Sequence, residues 1–291
     1  MRALRRRLRK RFLRWTRGAR SLGRDEYSRL ADYHLHTRLC GHAVGEPEDY
    51  VRQAVALGLS EVGFSDHMPL LHTRDERLTM APDDLPKYVE MIRDVQESTD
   101  EITVRLGIEM DYFPGRMDEI WDAAGPHRFD YVLGSVHYID DWGFSDSRTV
   151  STYKGRDPDE IYPRYFELFC EAVTEGGFDV MAHPDLIKKH GAETSLAIGD
   201  MYEAAADALA SADVAVEVNT SGLRKAVAEI YPSLPFLRAC SRRGVAVALG
   251  SDAHSPMEVG MDFDLALRSL KQAGVGEIAT FNGRRREMRA I

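Results

Sequence analysis

The chain has 291 residues, 44% of them hydrophobic and 29% charged, with a net charge of −9, as expected for one globular domain of the larger sort. No apolar run approaches the roughly 18 to 20 residues that span a bilayer, and the N-terminus lacks the apolar stretch of a secretory signal, so a cytoplasmic protein is expected. Cys40, Cys170 and Cys240 form no C-x-x-C pair, which argues against a disulfide scaffold or a zinc ribbon.

The charge is unevenly spread. Residues 1–24 hold 11 Lys or Arg and no acid, leaving 27 basic against 47 acidic residues after them. So acidic a body repels nucleic acid, and it repels a phosphorylated metabolite too unless bound cations or local Arg and Lys reverse the potential at the site. Residues 1–30 are read as a basic N-terminal extension. Arginines fall on nearly every face of it, while Leu4, Leu8, Phe12 and Trp15 make only a thin stripe. A solvated tail is preferred to a surface-binding helix or a targeting sequence.

From residue 31 to 291 short apolar runs alternate with helical patterns, and no repeat or linker divides them. The first strand ends in DYHLHTRLCGH, where His34 and His36 are two apart and share one side, and His42 follows in the loop. YVRQAVALGL (50–59) has helical periodicity behind an acidic start and stops at Gly58. GFSDH then ends a buried strand with Asp66 and His67. A helix over Leu85–Ser98 precedes the strand VRLGIEMDY, which delivers Glu109, and YVLGSVHYI delivers His137. A helix over Asp157–Glu175 leads to FDVMAHPDL, with His183 at its end and Lys188 and Lys189 beyond. After a helix over Ser195–Ala212, VAVEVNTSG ends with Asn219, followed by Arg224. A helix over Leu234–Arg243 leads to VAVALGSDAH, carrying Asp252 and His254, and Phe263–Gln272 is the last predicted helix.

Seven strand and helix alternations without a Gly-x-Gly-x-x-Gly fingerprint argue a parallel α/β barrel. Seven of the ten histidines lie at or after a strand's carboxyl end, as do Glu109 and Asp252. In a parallel barrel those ends converge on one face. His72, His127 and His190 sit in loops without a pattern. Imidazoles with a minority of carboxylates suit zinc, manganese or iron better than magnesium or calcium. Nine ligands are too many for one ion but enough for two or three if Glu109 bridges.

DYHLHTRLCGH, GFSDHMPL, LGIEMDYFPG, YVLGSVHYI, AHPDLIKKHG, EVNTSGLRK and LGSDAHSPMEVG, taken in order, resemble the successive motifs of the polymerase and histidinol phosphatase (PHP) family, and within it the histidinol-phosphatase branch. The resemblance runs from about Asp32 to the C-terminus. It implies a distorted (β/α)7 barrel, active at the C-terminal ends of its strands, with three divalent transition-metal ions. One would be held by His34, His36, Glu109 and Asp252, a second by Glu109, His137 and His183, and a third by His42, His67 and His254. The substrate it implies is L-histidinol phosphate, a small phosphate ester of histidine biosynthesis.

The chemistry expected of such a centre is attack on phosphorus, in line with the leaving alcohol, by a metal-bridging hydroxide formed because coordination lowers the pKa of water to about 7. Asp66 is a candidate to orient His67 or relay a proton to the leaving group. Arg224 is the candidate phosphate fork, and Lys188, Lys189 and Asn219 are further candidates for substrate binding. Tyr112 and Phe113 could wall the substrate, or pack, and Cys40 is read as a neighbour of the metals rather than a ligand. Two other readings compete. Another phosphoesterase of this type, a sugar or nucleotide phosphatase or an exonuclease, could use the same centre, although an exonuclease needs a basic or aromatic groove. A binding module with structural zinc would favour closed, cysteine-rich coordination, unlike this histidine-rich set.

Overall fold

The computed structural model describes residues 22–71, 75 and 77–291. The tail, surface and targeting readings of the basic leader therefore fall mostly outside the described residues. Within the expected extension, Arg24–Tyr27 form one helical turn, Leu30 is fully buried, and Leu22 and Tyr27 pack against the core. No described helix is long and apolar enough to cross a membrane.

Seven parallel strands form one sheet: β1 (Ala31–Leu35), β2 (Glu61–Phe64), β3 (Thr103–Asp111), β4 (Tyr131–Ser135), β7 (Val180–Met181), β8 (Ala215–Asn219) and β9 (Val247–Gly250), in the order β1-β2-β3-β4-β7-β8-β9. The sheet curls until its two edges meet. His36 N donates to Ala253 O at 3.0 Å and Ala253 N donates to His34 O at 3.0 Å, joining the chain just past β9 to β1. This is a distorted, nearly closed seven-stranded barrel, as the alternation predicts.

Helices Pro47–Leu57, Leu85–Ser98, Pro158–Glu175, Gly199–Ala212, Leu234–Arg242 and Phe263–Ala273 lie where periodicity places them, to within a few residues at their ends. Among the described residues, some elements went unforeseen. They include helix Met117–Ala124, the small hairpin β5 (Tyr138–Ile139) and β6 (Trp142–Gly143), and the C-terminal hairpin β10 (Glu277–Asn282) and β11 (Arg285–Ala290).

Strand alternation sorts residues to two faces. Val62, Phe64, Val104, Leu106, Ile108, Val132, Val216 and Leu249 join the large core shared with the helices. Ala31, Tyr33, Tyr131, Leu133, Val180, Ala215 and Ala248 form a second cluster inside the barrel, stoppered at its N-terminal end by Ala279 and Phe281 of β10. Followed toward the carboxyl ends, the same inner positions become Glu109 on β3, Ser135 on β4, Glu217 and Asn219 on β8, and Asp252 beyond β9. Apolar filling thus gives way to polar groups at one end of the barrel. On β1 the pairing register shifts between Asp32 and Leu35, a bulge-like irregularity at the point where Tyr33 hands over to His34.

Glycines make room for the filling. A Cβ on Gly107 would overlap the ring of Tyr131, which is fully buried and donates from its hydroxyl to Tyr33 O at 2.7 Å. Gly107→Ala is therefore expected to destabilise the protein by about 1–3 kcal/mol through overpacking. Denaturant unfolding measures this, and an unchanged midpoint would refute the assigned packing.

Candidate metal centre

The nine side chains singled out by strand position come together. Glu109, 2% exposed, sits at the middle with five imidazoles within 3.8 Å of its carboxylate. His34 Nε2 is 3.3 Å, His36 Nε2 3.8 Å and His67 Nδ1 2.8 Å from its Oε2, while His137 Nε2 is 3.7 Å and His183 Nε2 2.9 Å from its Oε1. Asp252 closes the other side, its Oδ1 3.3 Å from His36 Nε2, 4.0 Å from His34 Nε2 and 3.5 Å from His254 Nδ1. His42 Nε2 and His254 Nε2 approach to 3.0 Å at the outer end.

Three overlapping groups have their donor atoms within 4.8 Å of one another: His34, Glu109 and His183; His34, His36 and Asp252; and His36, His67 and His254. His42 forms another such group with Cys40 and His254. Its ring lies 5.5 Å from that of His67 and 4.6 Å from that of His254.

The arrangement fits divalent cations on its own terms. His34 Nε2, His36 Nε2 and Glu109 Oε2 are buried and crowd together, yet none of the three makes a hydrogen bond. Buried polar groups normally find partners, and imidazole nitrogens beside carboxylate oxygens are ligands for zinc, manganese or iron. Two of the donors also sit in an unusual backbone conformation. His183 has φ 27° and Asp252 φ 53°, and non-glycine residues held at positive φ cluster at functional sites.

Electrostatics divide the cluster. Burial favours a neutral Glu109, but His67 and His34 overcome it and hold the carboxyl well below its ordinary range. Asp252 behaves likewise against burial, chiefly through the neighbouring imidazoles of His34 and His36. Burial also opposes charge on His34, yet Glu217, Glu109 and Asp252 together raise its pKa well above the usual value. His36 is raised to about 9 against burial by Asp252 and Asp66. At the outer end burial, with His67 and His36, lowers His42 to about 4, and burial with His36 lowers His254 strongly. His42 and His254 are thus kept as neutral imidazoles, the form able to ligate a metal, whereas His34 and His36 would have to release protons to do so.

Behind these imidazoles stands a layer of carboxylates that sequence reading largely missed. Asp111 Oδ1 lies 2.9 Å from His137 Nδ1, and Glu217 Oε1 lies 2.7 Å from His34 Nδ1. Asp66, completely buried, accepts from His36 Nδ1 at 3.3 Å and His67 N at 2.9 Å through Oδ1, and from Thr37 N and Thr37 Oγ1 through Oδ2. The ring that Asp66 orients is therefore that of His36 and not that of its neighbour His67. With both oxygens engaged and no exposure, it has no free edge to offer a leaving group.

The substrate-binding candidates divide. Arg224 Nη2 donates to Ser251 O at 2.7 Å and Asp252 O at 3.3 Å, its Nε lies 3.4 Å from Glu258 Oε1, and its Nη1 is buried without a partner. That leaves one guanidinium nitrogen beside the Asp252 loop to take an anion. Lys189 Nζ donates to Ser145 O at 2.7 Å, and burial together with Lys225 lowers its pKa to about 8. Lys188 is instead bonded to Asp185 Oδ2 at 3.0 Å and Ile230 O at 3.2 Å. Asn219 gives its amide to Glu217 Oε2 at 3.0 Å and accepts from Ser221 N at 2.9 Å. Both side chains are held inside the protein network. Tyr112 points away to Glu175 at 2.8 Å, and Phe113 packs against Tyr138.

A parallel barrel whose strand ends gather imidazoles around ionised carboxylates is the framework of a metal-dependent hydrolase. Residues 32–221 match the PHP domain. The chain belongs to the PHP family. A probable histidinol-phosphatase of Deinococcus radiodurans is 40% identical over 257 residues, covering 88% of this chain and 98% of that protein. The histidinol-phosphatase of Lactococcus lactis subsp. lactis is 28% identical over 264 residues, or 87% of this chain and 94% of its own. The crystal structure of histidinol phosphate phosphatase from Lactococcus lactis subsp. lactis, complexed with zinc, L-histidinol and phosphate, aligns with a TM-score of 0.75 at 25% identity, over 89% of this chain and 99% of that one.

Proposed function

We propose that this protein hydrolyses L-histidinol phosphate to L-histidinol and phosphate, a step of histidine biosynthesis. The observation that carries the reading is the convergence of five imidazoles within 3.8 Å of one buried carboxylate, Glu109, at the open end of the barrel. Relatives that cover most of the chain bear the histidinol-phosphatase name, which supports the substrate.

Three divalent cations are proposed, zinc, manganese or iron. His34, His36, Glu109 and Asp252 would hold the first, Glu109, His137 and His183 the second, and His42, His67 and His254 the third. Such cations lower the pKa of bound water to about 7 and offset charge on phosphoryl oxygens.

The chain's own groups do the rest. Glu109 and Asp252, held ionised, keep the donor set anionic. Asp111, Asp66 and Glu217 hold the Nδ1 protons of His137, His36 and His34, which leaves each Nε2 lone pair facing the centre. Arg224 Nη1 donates to a phosphate oxygen, its guanidinium plane pinned by Ser251 O and Glu258, and Lys189 adds positive charge nearby. In the overall displacement a P–O bond to water forms as the water gives up a proton to solvent, the ester P–O bond breaks, and the alcohol leaves with a proton taken from solvent. The acidic body is consistent with a small ester rather than a nucleic acid.

The test is a comparison of kcat/KM for zinc- or manganese-loaded protein with L-histidinol phosphate, sugar phosphates, nucleotides and single-stranded DNA. L-histidinol phosphate is expected to exceed each alternative by about 100-fold or more, as when a site pairs with a substrate's own polar groups. A nucleotide or DNA turned over faster would overturn the substrate reading.

A further inference from the structure

We propose that Glu217 is a positioning residue that braces two separate donors of the metal centre, the ring of His34 and the backbone of His183. The inference rests on the nine donors holding cations and adds a residue that is not one of the nine.

Glu217 occupies the inner face of β8 in the stretch Ala215–Asn219, where it is 1% exposed. A carboxyl group so deep inside a barrel needs partners for both oxygens. Oε1 accepts from His34 Nδ1 at 2.7 Å. Oε2 accepts from His183 N at 2.6 Å and from Asn219 Nδ2 at 3.0 Å. The carboxylate therefore reaches the end of adjacent β7 on one side and, across β9, His34 of β1 on the other.

The two contacts do different work. A carboxylate oxygen accepts, so the proton of His34 sits on Nδ1 and the Nε2 lone pair is turned toward Glu109 and Asp252. At His183 the bond is to the main chain, at a residue held at φ 27°. Such a conformation persists only where its surroundings determine it, and the Glu217 bond is one of those determinants. His183 Nε2 is thereby aimed at Glu109 Oε1 at 2.9 Å.

The neighbouring strand is built to admit this carboxylate. A Cβ on Gly250 of β9 would overlap Glu217 Oε1 and crowd His34 Cβ, so a glycine is needed there. Asn219 supplies the last donor, its own carbonyl oxygen fixed by Ser221 N at 2.9 Å.

The experiment reads metal binding rather than turnover. Zinc affinity of wild type and of Glu217→Gln is measured by competition with a chromophoric chelator, together with bound metal per chain and the melting temperature of each protein with and without zinc. Gln keeps the shape but replaces one acceptor with a donor. Glu217→Gln is expected to bind zinc about 10–100-fold more weakly, the range for loss of a carboxylate behind a ligating histidine, while the two metal-free proteins melt within a few degrees of each other.

Affinity within twofold of wild type, or a metal-free melting temperature lowered as much as the zinc-bound one, would overturn the positioning role. Wild-type protein that binds no zinc or manganese would overturn the site reading itself. A second measurement does not depend on the variant folding. In zinc-loaded wild type carrying 15N-labelled histidine, His34 is expected to carry its proton on Nδ1, and a proton on Nε2 would contradict the bracing.

Discussion

Glu109→Gln is expected to lower kcat for L-histidinol phosphate by about 1,000-fold, roughly 4 kcal/mol of lost barrier reduction, the scale of several kcal/mol that a bound cation supplies to a phosphoryl-transfer transition state. The reason is geometric. The Glu109 carboxylate touches histidines from four separate strand ends, and an amide in its place carries no charge and turns an N–H₂ toward at least one ring nitrogen. Bound metal, counted by elemental analysis, should fall with activity, because Glu109 belongs to two of the proposed ligand sets. The fold should survive, since the barrel filling around Tyr33 and Tyr131 lies at the other end. A Glu109→Gln protein with full metal content and kcat within tenfold of wild type would contradict the central place given to this residue.

Stripping the metals is expected to have a comparably large effect. Prolonged dialysis against a chelator should abolish phosphate release, and zinc or manganese should restore it. It should also lower the melting temperature by on the order of 10 °C, since ligands bound at a thousand times their Kd contribute about 4 kcal/mol to the folded state. The loss is enlarged because the metal-free centre leaves His34 Nε2, His36 Nε2 and Glu109 Oε2 buried without hydrogen bonds. Full turnover by protein with negligible residual metal would defeat the proposal outright.

What could be read from the sequence, and what could not, follows from how each residue is positioned. The seven strand-end histidines were legible because a parallel barrel gathers the carboxyl ends of its strands, so sequence order stands in for spatial neighbourhood. Glu109 and Asp252 were legible for the same reason. Glu217 was not, although it and Asn219 are the polar members of an otherwise apolar strand. Its partner His34 lies 183 positions away, and nothing local says which carboxylate meets which ring.

Asp66 shows the converse. Adjacency in the chain suggested His67, but alternation sends the carboxylate to His36 Nδ1 on the neighbouring strand. Lys188 and Lys189 are consecutive, yet one is bonded to Asp185 and Ile230 and the other to Ser145. A loop position gives charge but not direction. The C-terminal hairpin was missed because RREMRA is mostly polar and exposed along β11, so only the inward side chains of β10 carry a core signal. Helix Met117–Ala124 is eight residues long, with Met117, Ile120 and Ala124 as its buried face, too short a run for periodicity to stand out.

The most direct test of the account is a titration of metal-free protein with zinc or manganese while phosphate release from L-histidinol phosphate is followed. The account expects no release before metal is added and a rate that keeps rising beyond the first equivalent per chain, as a centre sharing Glu109 between ions requires. Release at full rate from metal-free protein, or no release from fully loaded protein, would contradict it.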